Sequence, residues 1–466
     1  LTAGAMLLPM FVDLVSDNKD WQIFLISSIL TFIIGIICVL SFKDETKKIS
    51  IKEGFLLTVL SWVAVAVFSA IPFIYSESNL SFTNAIFESI SGVTTTGATV
   101  INGLDNLPKG ILLWRSLLQW FGGIGIIVLA LSLLPMLQVG GMQLFHLESD
   151  DPYEKTLPKI GKFIVEISIL YLIITVICAI LYFLSGMSVF DAILHAMTTI
   201  STGGFSTSDF SFAKFNSHTI EWVCTIFMIV GSLPFVLYLK FLHGDFKTII
   251  KDDQVKLFST ILLLLIFFMT TWLVIISNQS IYTSLRESAF NITSILTGTG
   301  YSSTNFNLWG SFGLIVLFII MFIGGCAGST TGGIKIFRIQ LLFNAGKNQI
   351  KKLLHPHGVF VATFNNKSIK EEAFNSVMGF FFLYIVLFSL VAAFLGFLGI
   401  DFLTSISASA SAISNVGPGL GDVIGPSGNY STLPTQAKWV LSITMLVGRL
   451  EIFTFLVLLS LSFWRK

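Results

Sequence analysis

The chain is short of charge. Only 11% of its 466 residues are Asp, Glu, Lys or Arg, whereas an ordinary soluble domain carries about a quarter. The length would allow two or three soluble domains, but the polar side chains to cover them are missing. Cysteine is scarce too: Cys38, Cys178, Cys224 and Cys326 stand singly in apolar stretches with no CxxC pair. Neither a disulfide framework nor a thiolate metal site is implied. There is no basic face for nucleic acid, no acidic tail and no run of Arg at every third position to sense voltage. No nucleophilic triad or acid–base pair stands in a polar setting. These absences exclude a cytosolic enzyme, a disordered regulator and a secreted disulfide scaffold. What is plentiful is apolar: 54% of residues are hydrophobic and the mean hydropathy is +0.85. The chain reads as an all-α polytopic membrane protein in contact with a lipid bilayer.

A helix needs about 20 apolar residues to cross the hydrocarbon. Stretches that meet or approach this lie near 21–42, 55–75, 110–136, 160–184, 218–242, 256–277, 308–323, 374–398 and 438–463. The chain is apolar from Leu1-Thr2-Ala3-Gly4 onward with no basic segment ahead of it, which reads as a first span with its front missing rather than a signal peptide. Between spans lie four amphipathic stretches, 82–93, 188–200, 283–296 and 402–413. About a dozen residues rise only about 20 Å as a helix, too little for a bilayer of about 30 Å. These read as buried short helices.

Each short helix runs into a small-residue, glycine-bearing turn. They are Thr94-Thr95-Thr96-Gly97-Ala98-Thr99, Ser201-Thr202-Gly203-Gly204-Phe205-Ser206, Thr297-Gly298-Thr299-Gly300-Tyr301-Ser302 and Asn415-Val416-Gly417-Pro418-Gly419. With Gly97, Gly203, Gly300 and Gly417 taken as equivalent, the intervals are 106, 97 and 117 residues. A fourfold repeat of span, short helix, glycine turn and span follows. Its units fall at 51–140, 141–245, 246–355 and 356–466, after an N-terminal pair of spans at 1–50. The segments 43–53, 140–162, 240–256 and 335–370, with Arg465 and Lys466, hold 20 of the 27 basic residues. The positive-inside rule makes them cytoplasmic, so the short helices and their turns enter from the outer side.

Irregular backbone at membrane depth survives only where protein buries it or water lines it. Four such turns meeting on one axis would make a ring of carbonyls able to replace an ion's hydration shell. Glycine permits the backbone angles this requires, and the neighbouring hydroxyls add neutral acceptors. Each short helix would aim its negative dipole end at the centre. No carboxylate lies within the turns, which favours a monovalent over a divalent cation. The bland alternative for any single turn is a small-residue helix contact, and that reading suits Gly122, Gly123 and Gly125 inside the 110–136 stretch.

The four turns in order, with Ser414-Asn415-Val416-Gly417-Pro418-Gly419-Leu420-Gly421 in the fourth, resemble the TrkH/TrkG/KtrB superfamily of potassium transporters over essentially the whole chain. The two extra N-terminal spans are similar to the TrkH branch. The resemblance implies one pore built from four non-identical repeats in a single subunit of the cell inner membrane. It implies potassium as the transported ion, no bound organic cofactor, a homodimer, and a cytosolic TrkA-like nucleotide-binding ring as partner. Filter residues implied are Thr95, Thr96 and Gly97, Ser201, Thr202 and Gly203, Gly298, Thr299 and Gly300, and Asn415, Val416 and Gly417. One matching glycine per turn implies modest selectivity over sodium, with rubidium accepted.

Two further features stand out. Gly324-Gly325-Cys326-Ala327-Gly328-Ser329-Thr330-Thr331-Gly332-Gly333-Ile334-Lys335 interrupts an apolar span. As a phosphate loop it fails, because Ile334 separates Gly333 from Lys335. The resemblance implies an intramembrane gate formed by Gly324, Gly325, Gly328, Ser329, Thr330, Thr331, Gly332 and Gly333; a kink without a gating role is the alternative. Arg449 lies deep in the last span, where an unpaired charge is costly. The resemblance puts it on the pore wall, hydrogen-bonded to the loop's carbonyls; a structural ion pair or a snorkelling side chain is the alternative. Glu88 reads as an anchor of the filter and His195 as hydrogen-bonded support. An alternating-access carrier is the rival class, but its repeats should be inverted, and these run one way.

Overall fold

The computed structural model describes residues 1–41, 50–132, 157–277, 279–358, 360, 363–365, 367, 368 and 371–465. Apart from a two-residue hairpin, β1 (Thr363–Phe364) with β2 (Lys367–Ser368), the regular structure among these residues is helical. Two helices open the chain, α1 (Thr2–Val15) and α2 (Trp21–Ser41). The first unit then runs α3 (Ile51–Tyr75), α4 (Phe82–Val93) and α5 (Lys109–Ser132). The second comprises α6 (Leu157–Leu184), α7 (Val189–Ile200), α8 (His218–Ser232) and α9 (Phe235–Leu242). The third has α10 (Asp253–Ser277), α11 (Ile281–Leu296), α12 (Gly310–Met321) and, after a loop, α13 (Ile336–Leu354). The fourth has α14 (Glu371–Phe397), α15 (Phe402–Ser414), α16 (Thr435–Arg449) and α17 (Ile452–Leu459).

Among the described residues, six helices are long and apolar enough to span a membrane, and two further pairs would span if each bent pair counts once. Their outward faces carry large apolar side chains such as Phe32, Ile180, Phe267 and Phe382, all well exposed. Water would penalise such a surface at about 25 cal/mol per Å², whereas lipid does not. The short helices α4, α7, α11 and α15 are the reverse: nearly every residue of their C-terminal halves is buried.

All four short helices begin alike. The side chains of Ser81, Ser188, Ser280 and Asp401 accept hydrogen bonds from the backbone amides of Asn84, Asp191, Thr283 and Thr404. Each cap satisfies one of the orphan donors of the first turn, worth about 1 kcal/mol. Packing then closes a circle. Helix α4 packs on α16, α7 on α5, α11 on α8 and α15 on α12. Each short helix thus rests on a helix of the preceding unit, and the first rests on the last.

Two stretches read above as continuous spans are broken. The 218–242 stretch bends by 93° between α8 and α9. Pro234 supplies no amide hydrogen, and Leu233 before it is extended. The 438–463 stretch bends by 113° between α16 and α17, at Glu451, whose φ is 67°. The 308–323 stretch is shorter than expected too: α12 has only 12 residues before the loop at 322–335. The basic segments 43–53 and 140–162 lie partly outside the described residues.

Candidate functional site: four turns, a vestibule and an intramembrane loop

The short helices end in turns of one shared geometry. Thr95, Thr202, Gly298 and Asn415 all adopt left-handed backbone, with φ between 50° and 68°. The next amide reaches back five residues in every case: Thr96 to Ser91 O, Gly203 to Thr198 O, Thr299 to Ser294 O and Val416 to Ser411 O, at 2.9–3.0 Å. The residue after that is Gly97, Gly204, Gly300 or Gly417, again with positive φ. The second turn is therefore displaced by one residue from the equivalence read in the sequence. Gly204, not Gly203, matches the other three glycines, and Gly203 occupies the place of Thr96. The double glycine conceals this in sequence; only the hydrogen-bond register separates the two.

These positions close a ring. A Cβ on Gly97 would overlap the carbonyl oxygen of Gly203; on Gly204, that of Thr299; on Gly300, that of Val416; and on Gly417, that of Thr96. Each glycine thus packs against the carbonyl of the next turn, and the fourth returns to the first. Positive φ and absent space both demand glycine here. All four glycines line a cavity of about 250 Å³ that opens above them, bordered also by Ala98, Thr99, Phe205 and Pro418.

Buried polar side chains hold the ring from behind, and most were not singled out in the sequence. The Glu88 carboxylate accepts from Thr99 Oγ1, from Val100 N at 2.9 Å and from Arg115 Nε at 2.8 Å. Arg115 also donates to Ser206 O at 2.9 Å and lies over the Phe205 ring. One buried ion pair thereby ties the first turn to the second. Glu88 is an anchor in this geometry, as expected, but Arg115 was missed. A charge six residues inside a spanning helix was the available signal. Gln119 donates to Gly203 O and accepts from Phe205 N. Tyr430 donates its hydroxyl to Gly417 O and its amide to Thr99 O, joining the fourth turn to the first. His195 bonds Asp191 O and Ser206 Oγ. Asn415, the departure in the fourth turn, donates to Thr96 Oγ1 and Met445 O, both at 2.9 Å.

The glycine-rich loop sits directly against these turns. Thr330 Oγ1 lies within hydrogen-bond reach of Ile200 O, Gly231 O and Thr202 Oγ1 (2.9–3.1 Å). A Cβ on Gly332 would overlap Ser414 O. The broken end of α8 receives the loop: Cys326 N donates to Ser232 O, Thr330 N to Gly231 O, and Phe235 N to Gly328 O. Inside the loop, Gly325 N bonds Thr331 Oγ1, and Ser329 Oγ bridges Cys326 O and Thr331 Oγ1. The break at Pro234 and the loop therefore belong to one construction, each satisfying the other's backbone.

Arg449 is buried and borders a cavity of about 20 Å³ with Gly328, Ser329, Thr331, Gly332, Gly333 and Lys335. Its guanidinium makes no hydrogen bond among the described residues, so the expected bonds to loop carbonyls are not formed. Lys335 takes that part instead, donating Nζ to Thr331 O and Oγ1. Glu451 pairs with Arg338 at 2.8 Å, the latter stacked on Phe380. Two cations and an ion pair thus gather beside the loop.

Four short helices with buried C-terminal halves and glycine turns in a closed ring, inside a shell of long apolar helices, point to a membrane transport protein. Known proteins narrow this further. The TrkH family model, described as "Cation transport protein", matches residues 21–465, and the chain belongs to that family. It is 44% identical to the Trk system potassium uptake protein TrkI of Halomonas elongata, covering 89% of this chain and 84% of that one. It is 38% identical to the Trk system potassium uptake protein TrkH of Salmonella typhimurium over 100% and 97% of the two chains. The crystal structure of the potassium transporter TrkH from Vibrio parahaemolyticus superposes with a TM-score of 0.91 at 37% identity, over 99% and 96% of the chains. The protein is a multi-pass membrane protein, in bacteria one of the inner membrane.

Proposed function

We propose that the chain carries potassium inward through a channel-like path along the axis of the four turns. The observation that carries this is the closed ring of carbonyls and glycines beneath the vestibule. Backbone carbonyls held without carboxylates suit a monovalent cation. The relatives are potassium uptake proteins by name, which supports the choice of ion. Filter residues in this reading are Thr95, Thr96 and Gly97; Thr202, Gly203 and Gly204, with Ser201 behind them; Gly298, Thr299 and Gly300; and Asn415, Val416 and Gly417.

The loop at 324–333 is the gate. It is packed on the turns, short in side chain and rich in glycine, so it rearranges at low cost. Arg449 and Lys335 beside it place positive charge where a cation would pass. Units at 51–140, 141–245, 246–355 and 356–466 belong to this reading, the first boundary lying outside the described residues. A homodimer and a cytosolic TrkA-like nucleotide-binding ring docking on 240–256 and 335–370 complete it.

Purified protein in liposomes tests the proposal by comparing potassium, rubidium and sodium flux, with and without such a ring. Potassium and rubidium should pass faster than sodium. Equal flux of all three, or none in folded protein, contradicts it.

A further inference from the structure

Among the ring carbonyls of Thr96, Gly203, Thr299 and Val416, one differs. Gly203 has no side chain where the other three have one, yet its φ lies outside the left-handed region, so its backbone does not require glycine. What excludes a side chain is Gln119. A Cβ on Gly203 would overlap the Gln119 Cδ, Oε1 and Nε2 atoms. Gln119 is wholly buried on α5, a helix of the first unit, and reaches across to the second turn. Its Nε2 donates to Gly203 O at 2.6 Å, while its Oε1 accepts from Phe205 N at 3.0 Å. The two bonds grip the backbone on either side of Gly204 and fix which end of the amide faces Gly203, since the reverse orientation would set two acceptors together. Among the described residues, the Thr96, Thr299 and Val416 carbonyls receive no such donor.

We propose that Gln119 is a specificity-determining residue of the filter, acting through the Gly203 carbonyl. A carbonyl oxygen that already accepts an amide hydrogen offers an ion a weaker field, because the donor's positive end sits on the same oxygen. A weaker field favours the cation that is cheaper to dehydrate, potassium over sodium. Gln119 and Gly203 thus form a pair: the glutamine fills the space of the missing side chain and lowers the field of one quadrant. The inference rests on the proposed potassium path through this ring.

The test uses the full chain in liposomes, with potassium and sodium flux measured separately. Thermal protection of the detergent-solubilised protein by each ion supplies a readout independent of flux. Gln119→Met keeps the length but removes donor and acceptor; it should lower the potassium-to-sodium ratio about fivefold, the worth of one neutral hydrogen bond, while potassium still passes. Gly203→Ala should lose flux through overlap with Gln119. The double variant Gln119→Ala, Gly203→Ala should recover flux with the lowered ratio. A ratio unchanged from wild type in folded Gln119→Met and in the double variant overturns the proposal. Wild-type protein that passes no potassium overturns the underlying path instead, a failure distinct from an unchanged ratio.

Discussion

At the scale of single residues, the ring depends on atoms that are absent. Gly97, Gly300 and Gly417 combine positive φ with a carbonyl where a Cβ would stand. Replacing Gly300 by Ala is expected to cut potassium uptake at least tenfold with the protein still in the membrane, because strain and overlap add. Gly35, with nothing within 4 Å of a built Cβ, is the control, and Gly35→Ala should leave uptake unchanged. The Glu88–Arg115 pair makes a second prediction. Breaking a buried ion pair by removing one partner costs about 3–5 kcal/mol. Arg115→Leu should therefore lower the melting temperature of the detergent-solubilised protein markedly, and Arg115→Lys only in part. The turns themselves were legible in sequence because a glycine-bearing turn after a short amphipathic stretch recurs four times, three of them with Thr-Gly. Their exact register was not. At Gly203-Gly204 two glycines are interchangeable on paper, and only the amide of Gly203 reaching Thr198 O decides. Gln119 was illegible for another reason: one polar residue in an apolar helix points anywhere until its partner is known.

At the scale of elements, the short helices were the most legible feature. Their expected limits agree with the observed ones within two residues, because polar caps at Ser81, Ser188, Ser280 and Asp401 stop the chain sharply. The broken helices were not legible, because hydropathy is blind to direction and runs straight through a 93° bend. Pro234 was the local signal for one break. The other falls at Glu451, a residue with positive φ paired to Arg338, where the sequence carries no proline to announce it. Gating belongs at this scale. Thr330 latches the loop to α7, α8 and the second turn through one hydroxyl. Thr330→Val removes the hydrogen bond that this hydroxyl donates and the one it accepts from Thr202, each worth about 1 kcal/mol, and should raise passive potassium flux about fivefold or more. Arg449→Ala removes a buried cation with no hydrogen-bond partner among the described residues and should raise flux as well. Lower or unchanged flux in folded variants of both kinds would count against the loop as gate.

At the scale of the whole molecule, the unit order is a cycle. Each short helix packs on the preceding unit, and each glycine packs on the next carbonyl. In the proposed reading, the vestibule, the four turns and then the loop succeed one another along the ion's route. An alternating carrier would instead rock one bundle against another around a midplane site. The low charge noted at the outset fits the cyclic design: among the described residues few cations are buried, with Arg115 paired to Glu88 behind the turns and Lys335, Arg338 and Arg449 gathered beside the loop. The most direct test of the central claim is passive potassium flux through the purified protein in liposomes, with no sodium or proton gradient present. The account predicts flux that follows the potassium gradient alone and rises when residues 327–330 are deleted. Flux that vanishes without a second ion's gradient, and moves in fixed stoichiometry with it, would contradict it.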